Sequence, residues 1–206
     1  MTEGQPLLDF LEDMRRLRRD CPWKRAQTHR SLARYLQEES AEALEALDTG
    51  DPAHLREELG DLLLQVYFHA VIAEEAGDFT IDDVATGVSE KMHRRNPHVF
   101  GPEAGRADLS AAEVDARWQA IKSTERPRGS VYDGIAPTLP ALLLATKILE
   151  RVPDAVPDPL PADIGDRLLA LVGEAVAEGI DPEQALRDAV RRAVPPPGTR
   201  PPTSGG

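Results

Sequence analysis

Two short acidic clusters, Glu38-Glu39-Ser40-Ala41-Glu42 and Glu58-Leu59-Gly60-Asp61, constrain this chain more than any other feature. Both lie in strongly helical text, separated by the tight turn Asp48-Thr49-Gly50-Asp51-Pro52. Side chains three or four residues apart share a helix face, and a short turn makes consecutive helices antiparallel neighbours. The sequence therefore predicts a helical hairpin whose carboxylates face one another. Such groups repel unless a positive charge stands between them, and hard oxygen ligands suit Mg²⁺ or Mn²⁺.

The flanking residues select the inward set. On the second helix Leu59, Leu62, Leu63, Leu64, Val66, Tyr67, Val71 and Ile72 cover most directions, and Glu58, Asp61 and Gln65 share the polar stripe. A helix apolar on nearly every face is expected to be buried, where an unpartnered carboxylate costs roughly several kcal/mol. On the first helix Glu39 shares an arc with Leu32, Tyr35, Ala43 and Ala46; Glu42 lies at its edge, and Glu38 and Glu45 turn away. The inward groups are Glu39, Glu42, Glu58 and Asp61. A solvated acidic face suits Glu45, Glu57, Glu74 and Glu75, which have Arg, Lys or water available, but it suits Glu39 and Asp61 poorly.

The chain of 206 residues is 41% hydrophobic but only 4% aromatic, so its core is built mostly from Leu, Ala and Val, which favours helices. Helices are expected over 7–19, 29–48 capped by Thr28, 52–76 opened by Asp51-Pro52 and ended by Gly77, and 81–95 capped by Thr80. Further helices are expected from Ser110 to about Lys122, over 139–151, and over 163–178 and 182–193. No segment alternates in polarity, so the fold class is all-α. The divisions are 1–151 as the main domain, 152–161 as a linker with four prolines, 162–194 as a short helical unit and 195–206 as a disordered tail. Asp163-Ile164-Gly165-Asp166-Arg167-Leu168-Leu169 echoes Glu58-Leu59-Gly60-Asp61-Leu62-Leu63-Leu64, as a remnant of a second copy would.

A net charge of −12 argues against a nucleic-acid polymer as partner. The single cysteine, Cys21, excludes an internal disulfide and suits a reducing compartment. No run approaches a membrane span and no signal segment is evident, so the expectation is a soluble cytoplasmic chain without a membrane partner. The most basic stretch is Lys91-Met92-His93-Arg94-Arg95-Asn96-Pro97-His98. Its cations complement a helix C-terminus; beside a carboxylate–metal cluster they also supply the other half of a polyphosphate site. There is no Walker-type glycine loop, so a nucleotide would be held by metal, cations and stacking, with Trp23 and Trp118 as stacking candidates.

These residues match a family in order: Cys21-Pro22-Trp23, Gln27-Thr28-His29-x-Ser31-Leu32, the two acidic clusters, Arg94-Arg95-Asn96-Pro97-His98-Val99-Phe100-Gly101, Trp118-x-x-Ile121-Lys122 and Leu139-Pro140-Ala141-Leu142. Over about 7–151 the chain strongly resembles the MazG-type nucleoside triphosphate pyrophosphohydrolases. The resemblance implies a four-helix bundle completed by homodimerisation, and Mg²⁺-dependent cleavage of an NTP or dNTP to the monophosphate and pyrophosphate, with Mn²⁺ as a substitute. It implies removal of non-canonical nucleotides as the setting. By it, Glu39, Glu42, Glu58 and Asp61 match the metal ligands and Glu38 the residue that orients or deprotonates water. Lys91, Arg94 and Arg95 would bind phosphates, and Trp118 with Lys122 would line the nucleotide pocket, with Trp23 as a second stacking candidate. The chain departs from the family in its cut-down second repeat and in Asn96, where the family usually has histidine.

Two rival readings belong to other classes. A di-iron bundle needs two Glu-x-x-His motifs, and only Glu90-Lys91-Met92-His93 has that spacing. A catalytically weak nucleotide-binding or regulatory relative has no need of buried, mutually repelling carboxylates.

Overall fold

Helix punctuation in the sequence becomes helix ends in space. The computed structural model describes residues 2–102, 104–105, 109–125, 129–156 and 163–194. It contains α1 (Gln5–Asp20), α2 (Pro22–Ala26), α3 (His29–Thr49), α4 (Pro52–Ala76), α5 (Ile81–Arg95), α6 (Pro97–Phe100), α7 (Ala111–Glu125), α8 (Ala141–Leu149), α9 (Ile164–Ala177) and α10 (Pro182–Ala193). No strand occurs among the described residues, and the fold is all-α as expected. No helix there is long and apolar enough to cross a membrane.

Caps set the hairpin. The Thr28 hydroxyl accepts from the Ser31 amide at 3.2 Å while the Ser31 hydroxyl accepts from the Thr28 amide at 2.9 Å, a reciprocal capping box that starts α3. Gly50 takes a left-handed φ of 69° to end α3, and the Asp51 carboxylate accepts from Ala53 N at 2.9 Å to start α4. Gly77, at φ 77°, ends α4. Thr80 and Asp83 form a second capping box at α5.

Packing divides the chain into two units, Met1–Lys122 and Ser123–Gly206, each described on its own. In the first, α3 and α4 form the expected antiparallel pair and α1 packs across α4. Leu11 and Met14 of α1, Leu32 of α3 and Tyr67, Phe68 and Val71 of α4 make one buried cluster. Two arginines of α1 fasten it: Arg15 donates to both oxygens of Glu74 at 3.1 and 2.7 Å, and Arg18 pairs with both oxygens of Glu75. Arg18 is only 7% exposed and also donates to the carbonyls of Lys24, Arg25 and Gln27, closing the one-and-a-half-turn helix α2. That helix begins at Pro22, its first residue, just after α1 ends at Asp20.

In the second unit α8 packs against α9 and α10, burying Leu149, Ala170 and Val172. By packing the chain divides at 122/123, inside the last turn of α7, and the apolar side of α8 is covered by the two helices that follow it. The Pro-rich stretch carries a 3-10 turn at Pro153–Ala155; residues 157–161, and the tail from Pro195, lie outside the described residues. The expectation that α4 is buried on all sides needs correction: Leu59 is 52% and Val66 43% exposed. Among the described residues α1, α3 and α5 pack on α4 and leave these two side chains uncovered.

Candidate metal centre

The α3–α4 hairpin brings Glu39, Glu58 and Asp61 together, with a carboxylate oxygen from each lying within 4.8 Å of the others. Glu39 is half-buried and Glu58 buried, on facing helices, while Asp61 stands three residues beyond Glu58 on the same face of α4. Burial, then the charges of Asp61, Glu42 and Glu38, push the Glu39 carboxyl above its ordinary range, with a hydrogen bond to Glu42 adding to the shift. Glu42 is thus beside Glu39 but exposed at the rim, outside the three-carboxylate group. Glu38 is exposed next to it. A half-buried cluster that works against its own ionisation is chemically suited to a hard divalent cation, and these carboxylates could hold one.

Two further groups of α4 support the cluster. His54 Nε2 lies 3.1 Å from Glu58 Oε1, one turn before it. Gln65 Nε2 donates to Glu39 Oε1 in a long hydrogen bond of 3.5 Å, one turn after Asp61. His54 escaped the sequence reading, although its four-residue spacing from Glu58 was a usable signal.

The basic and aromatic residues form their own grouping. Arg95 of α5 and Lys122 of α7 approach the Trp118 ring, with the guanidinium carbon 4.7 Å and the ammonium nitrogen 4.9 Å from its centroid. Lys91 and Arg94 lie on the same helix as Arg95, Lys91 half-buried and Arg94 exposed. His93 stacks on Phe100 at 4.2 Å, tying α5 to α6. Trp23 is elsewhere: 49% exposed, it packs edge-on against Tyr35 at 6.2 Å, and Tyr35 is one helical turn before Glu39. The structure therefore unites Arg95, Trp118 and Lys122, and sets Trp23 on the carboxylate-bearing helix by way of Tyr35.

A helical hairpin with facing carboxylates that could hold a metal ion, and a separate cation–aromatic group, define the class: an all-α protein with a candidate metal centre. Comparison with known proteins gives the family. The model of the MazG nucleotide pyrophosphohydrolase domain matches residues 27–100, which includes both acidic clusters. A nucleoside triphosphate pyrophosphohydrolase/pyrophosphatase MazG of Thermotoga maritima is 38% identical over 84% of this chain and 76% of its own length. A nucleoside triphosphate pyrophosphohydrolase of Mycobacterium tuberculosis is 44% identical over 91% of this chain, which spans 55% of that protein. An uncharacterized 26.1 kDa protein of Streptomyces cacaoi is 43% identical over 92% of this chain and 83% of its own length. The chain belongs to the MazG nucleotide pyrophosphohydrolase family, and with it to the hydrolases acting on phosphoric anhydride bonds.

Proposed function

We propose that this chain is a Mg²⁺-dependent nucleoside triphosphate pyrophosphohydrolase, cleaving an NTP or dNTP to its monophosphate and pyrophosphate. The observation that carries the reading is the Glu39–Glu58–Asp61 group, three carboxylates within 4.8 Å on a family-matched hairpin. Glu39, Glu58 and Asp61, with Glu42 at the rim, would hold the cation. When bound, Mg²⁺ supplies positive charge against the triphosphate oxygens and acidifies a coordinated water. Glu38, exposed and next to Glu39 in sequence, would be the residue that orients or deprotonates the attacking water. Lys91, Arg94 and Arg95 would neutralise charge on the departing pyrophosphate. Trp118 and Lys122 would receive the nucleotide, the indole offering a stacking face once the base displaces a cation from it. Trp23 is a second stacking surface.

The active form in this reading is a homodimer. Leu59 and Val66 of α4 and Leu36, Leu44 and Leu47 of α3 are exposed apolar side chains on the hairpin itself, and a second hairpin would cover them as a four-helix bundle. Residues 163–194 would be the shortened remnant of a second repeat, and the setting a cytoplasmic clearance of non-canonical nucleotides. The test is hydrolysis of common and deaminated NTPs and dNTPs with Mg²⁺, resolving pyrophosphate from orthophosphate. Pyrophosphate and monophosphate, abolished by chelator and by Glu42→Gln in a folded protein, are expected. Orthophosphate as first product, or unchanged turnover in Glu42→Gln, would overturn the assignment.

A further inference from the structure

We infer that Gln65 is a positioning residue of this metal centre, holding Glu39 in its ligating orientation through the side-chain amide; the inference rests on the metal-site reading above. Gln65 is 4% exposed and stands one turn after Asp61 on the same face of α4. Its Nε2 donates to Glu39 Oε1 at 3.5 Å. The reverse orientation of the amide would aim a carbonyl at a carboxylate, which can only accept, so the donor must face Glu39. That choice leaves the buried Gln65 Oε1 with no hydrogen-bond partner.

An unpaired buried carbonyl works against folding, and an unbranched apolar side chain of similar size at position 65 would leave no such group unpaired. The glutamine is therefore a poor choice for packing and a good one for orientation. Glu39 needs such a restraint. Asp61, Glu42 and Glu38 all act on it with like charge, and Gln65 is a neutral donor reaching it from the facing helix. Without that donor the carboxylate is free to rotate away from Glu58 and Asp61 toward solvent. Groups that orient a metal ligand in this way typically change metal affinity by about 10–100-fold when lost.

The test compares wild type with Gln65→Met, which keeps the volume and loses both donor and acceptor, and with Gln65→Asn, which keeps the amide but is too short to reach. Mn²⁺ binding is measured by isothermal titration calorimetry, and melting in chelator on the same samples. The expected result is Mn²⁺ affinity about 10-fold or more weaker in both variants, with the melting temperature of Gln65→Met in chelator equal to or above wild type. A dissociation constant within twofold of wild type in a folded variant would overturn the role of Gln65 while leaving the metal site standing. A lowered melting temperature with unchanged affinity would assign Gln65 to packing alone. Absence of Mn²⁺ binding by wild type would instead overturn the metal-site reading itself, and this inference with it.

Discussion

Replacing Glu39 by glutamine should make the chelated protein more stable and the metal-loaded protein less so, reversing the rank order of two proteins by adding an ion. Like charges 4.8 Å apart cost about 0.9 kcal/mol under water-like screening and about 3.5 kcal/mol at an effective dielectric constant near 20. Glu39 faces two such partners, but it is only half-buried, and Glu58 is partly compensated by His54 at 3.1 Å. The lower part of that range applies, so removing the charge should stabilise the chelated protein by about 1–2 kcal/mol, or about 2–8 °C in melting temperature. With Mg²⁺ at about 100 times its dissociation constant, wild type gains about 2.7 kcal/mol by mass action. Glu39→Gln, short of one ligand, gains little. Differential scanning calorimetry with chelator and with Mg²⁺ reads both arms. If Glu39→Gln melts below wild type in chelator, the carboxylates are not in conflict, and the case for a cation between them collapses. If Mg²⁺ raises both proteins equally, Glu39 is not a ligand.

Other expected outcomes follow from the same geometry. Trp118→Ala removes the ring engaged by Arg95 and Lys122, and a lost base stack worth about 1–3 kcal/mol should raise KM roughly 5–150-fold with a smaller effect on kcat, read from steady-state kinetics. Arg18→Leu should destabilise the first unit by about 3 kcal/mol, because three carbonyls and Glu75 lose their donor together. Glu75→Gln should cost less than about 1 kcal/mol, since that side chain is 44% exposed, and equal losses in chemical denaturation would refute the central place given to Arg18. Burial, then the charge of His29 with its Nδ1 2.7 Å from His69 Nδ1, holds the His69 imidazole below its ordinary pKa. The unfolded chain then binds the extra proton first, so stability from this pair is full above about pH 6.5 and falls as pH drops below it. Relative to His69→Leu, wild type should lose melting temperature between pH 7.5 and 5.5; parallel profiles would refute the shift.

What the sequence made legible was whatever is local. Thr28, Asp51 and Thr80 could be read as caps because a cap needs only its own side chain and the next three amides, and each caps its helix. The facing of Glu39 toward Glu58 and Asp61 was legible for a related reason: a short turn leaves two helices no other arrangement. Arg18 was not. Its partner Glu75 is 57 residues away, and nothing in the periodicity of α1 distinguishes a buried arginine from a solvated one. The His29–His69 contact, 40 residues apart with rings stacked at 5.0 Å, was equally hidden, since His29 stood in the text only as part of a matching motif.

The apolar girth of α4 marks the deeper limit. Hydrophobic periodicity reports which side chains want cover, and it is silent on whether that cover comes from the same chain. Leu63, Leu64, Tyr67 and Phe68 find it within one hairpin and α1, while Leu59 and Val66 do not. Leu59 and Val66 lie on a different side of α4 from Asp61, since residues two apart do not share a face, so a covering hairpin would act on the carboxylates only by closing water off from the α3–α4 pair as a whole. Excluding water strengthens both the repulsion among Glu39, Glu58 and Asp61 and their attraction for a cation. If the chain dimerises and binds a cation as proposed, assembly and metal binding are two terms of one equilibrium: a second hairpin laid on Leu59 and Val66 would raise the cost of an unneutralised site, and a bound cation would lower the cost of association. Mg²⁺ should therefore shift the monomer–dimer balance toward dimer in sedimentation at fixed protein concentration, and Leu59→Lys should weaken Mg²⁺ binding although residue 59 carries no ligand.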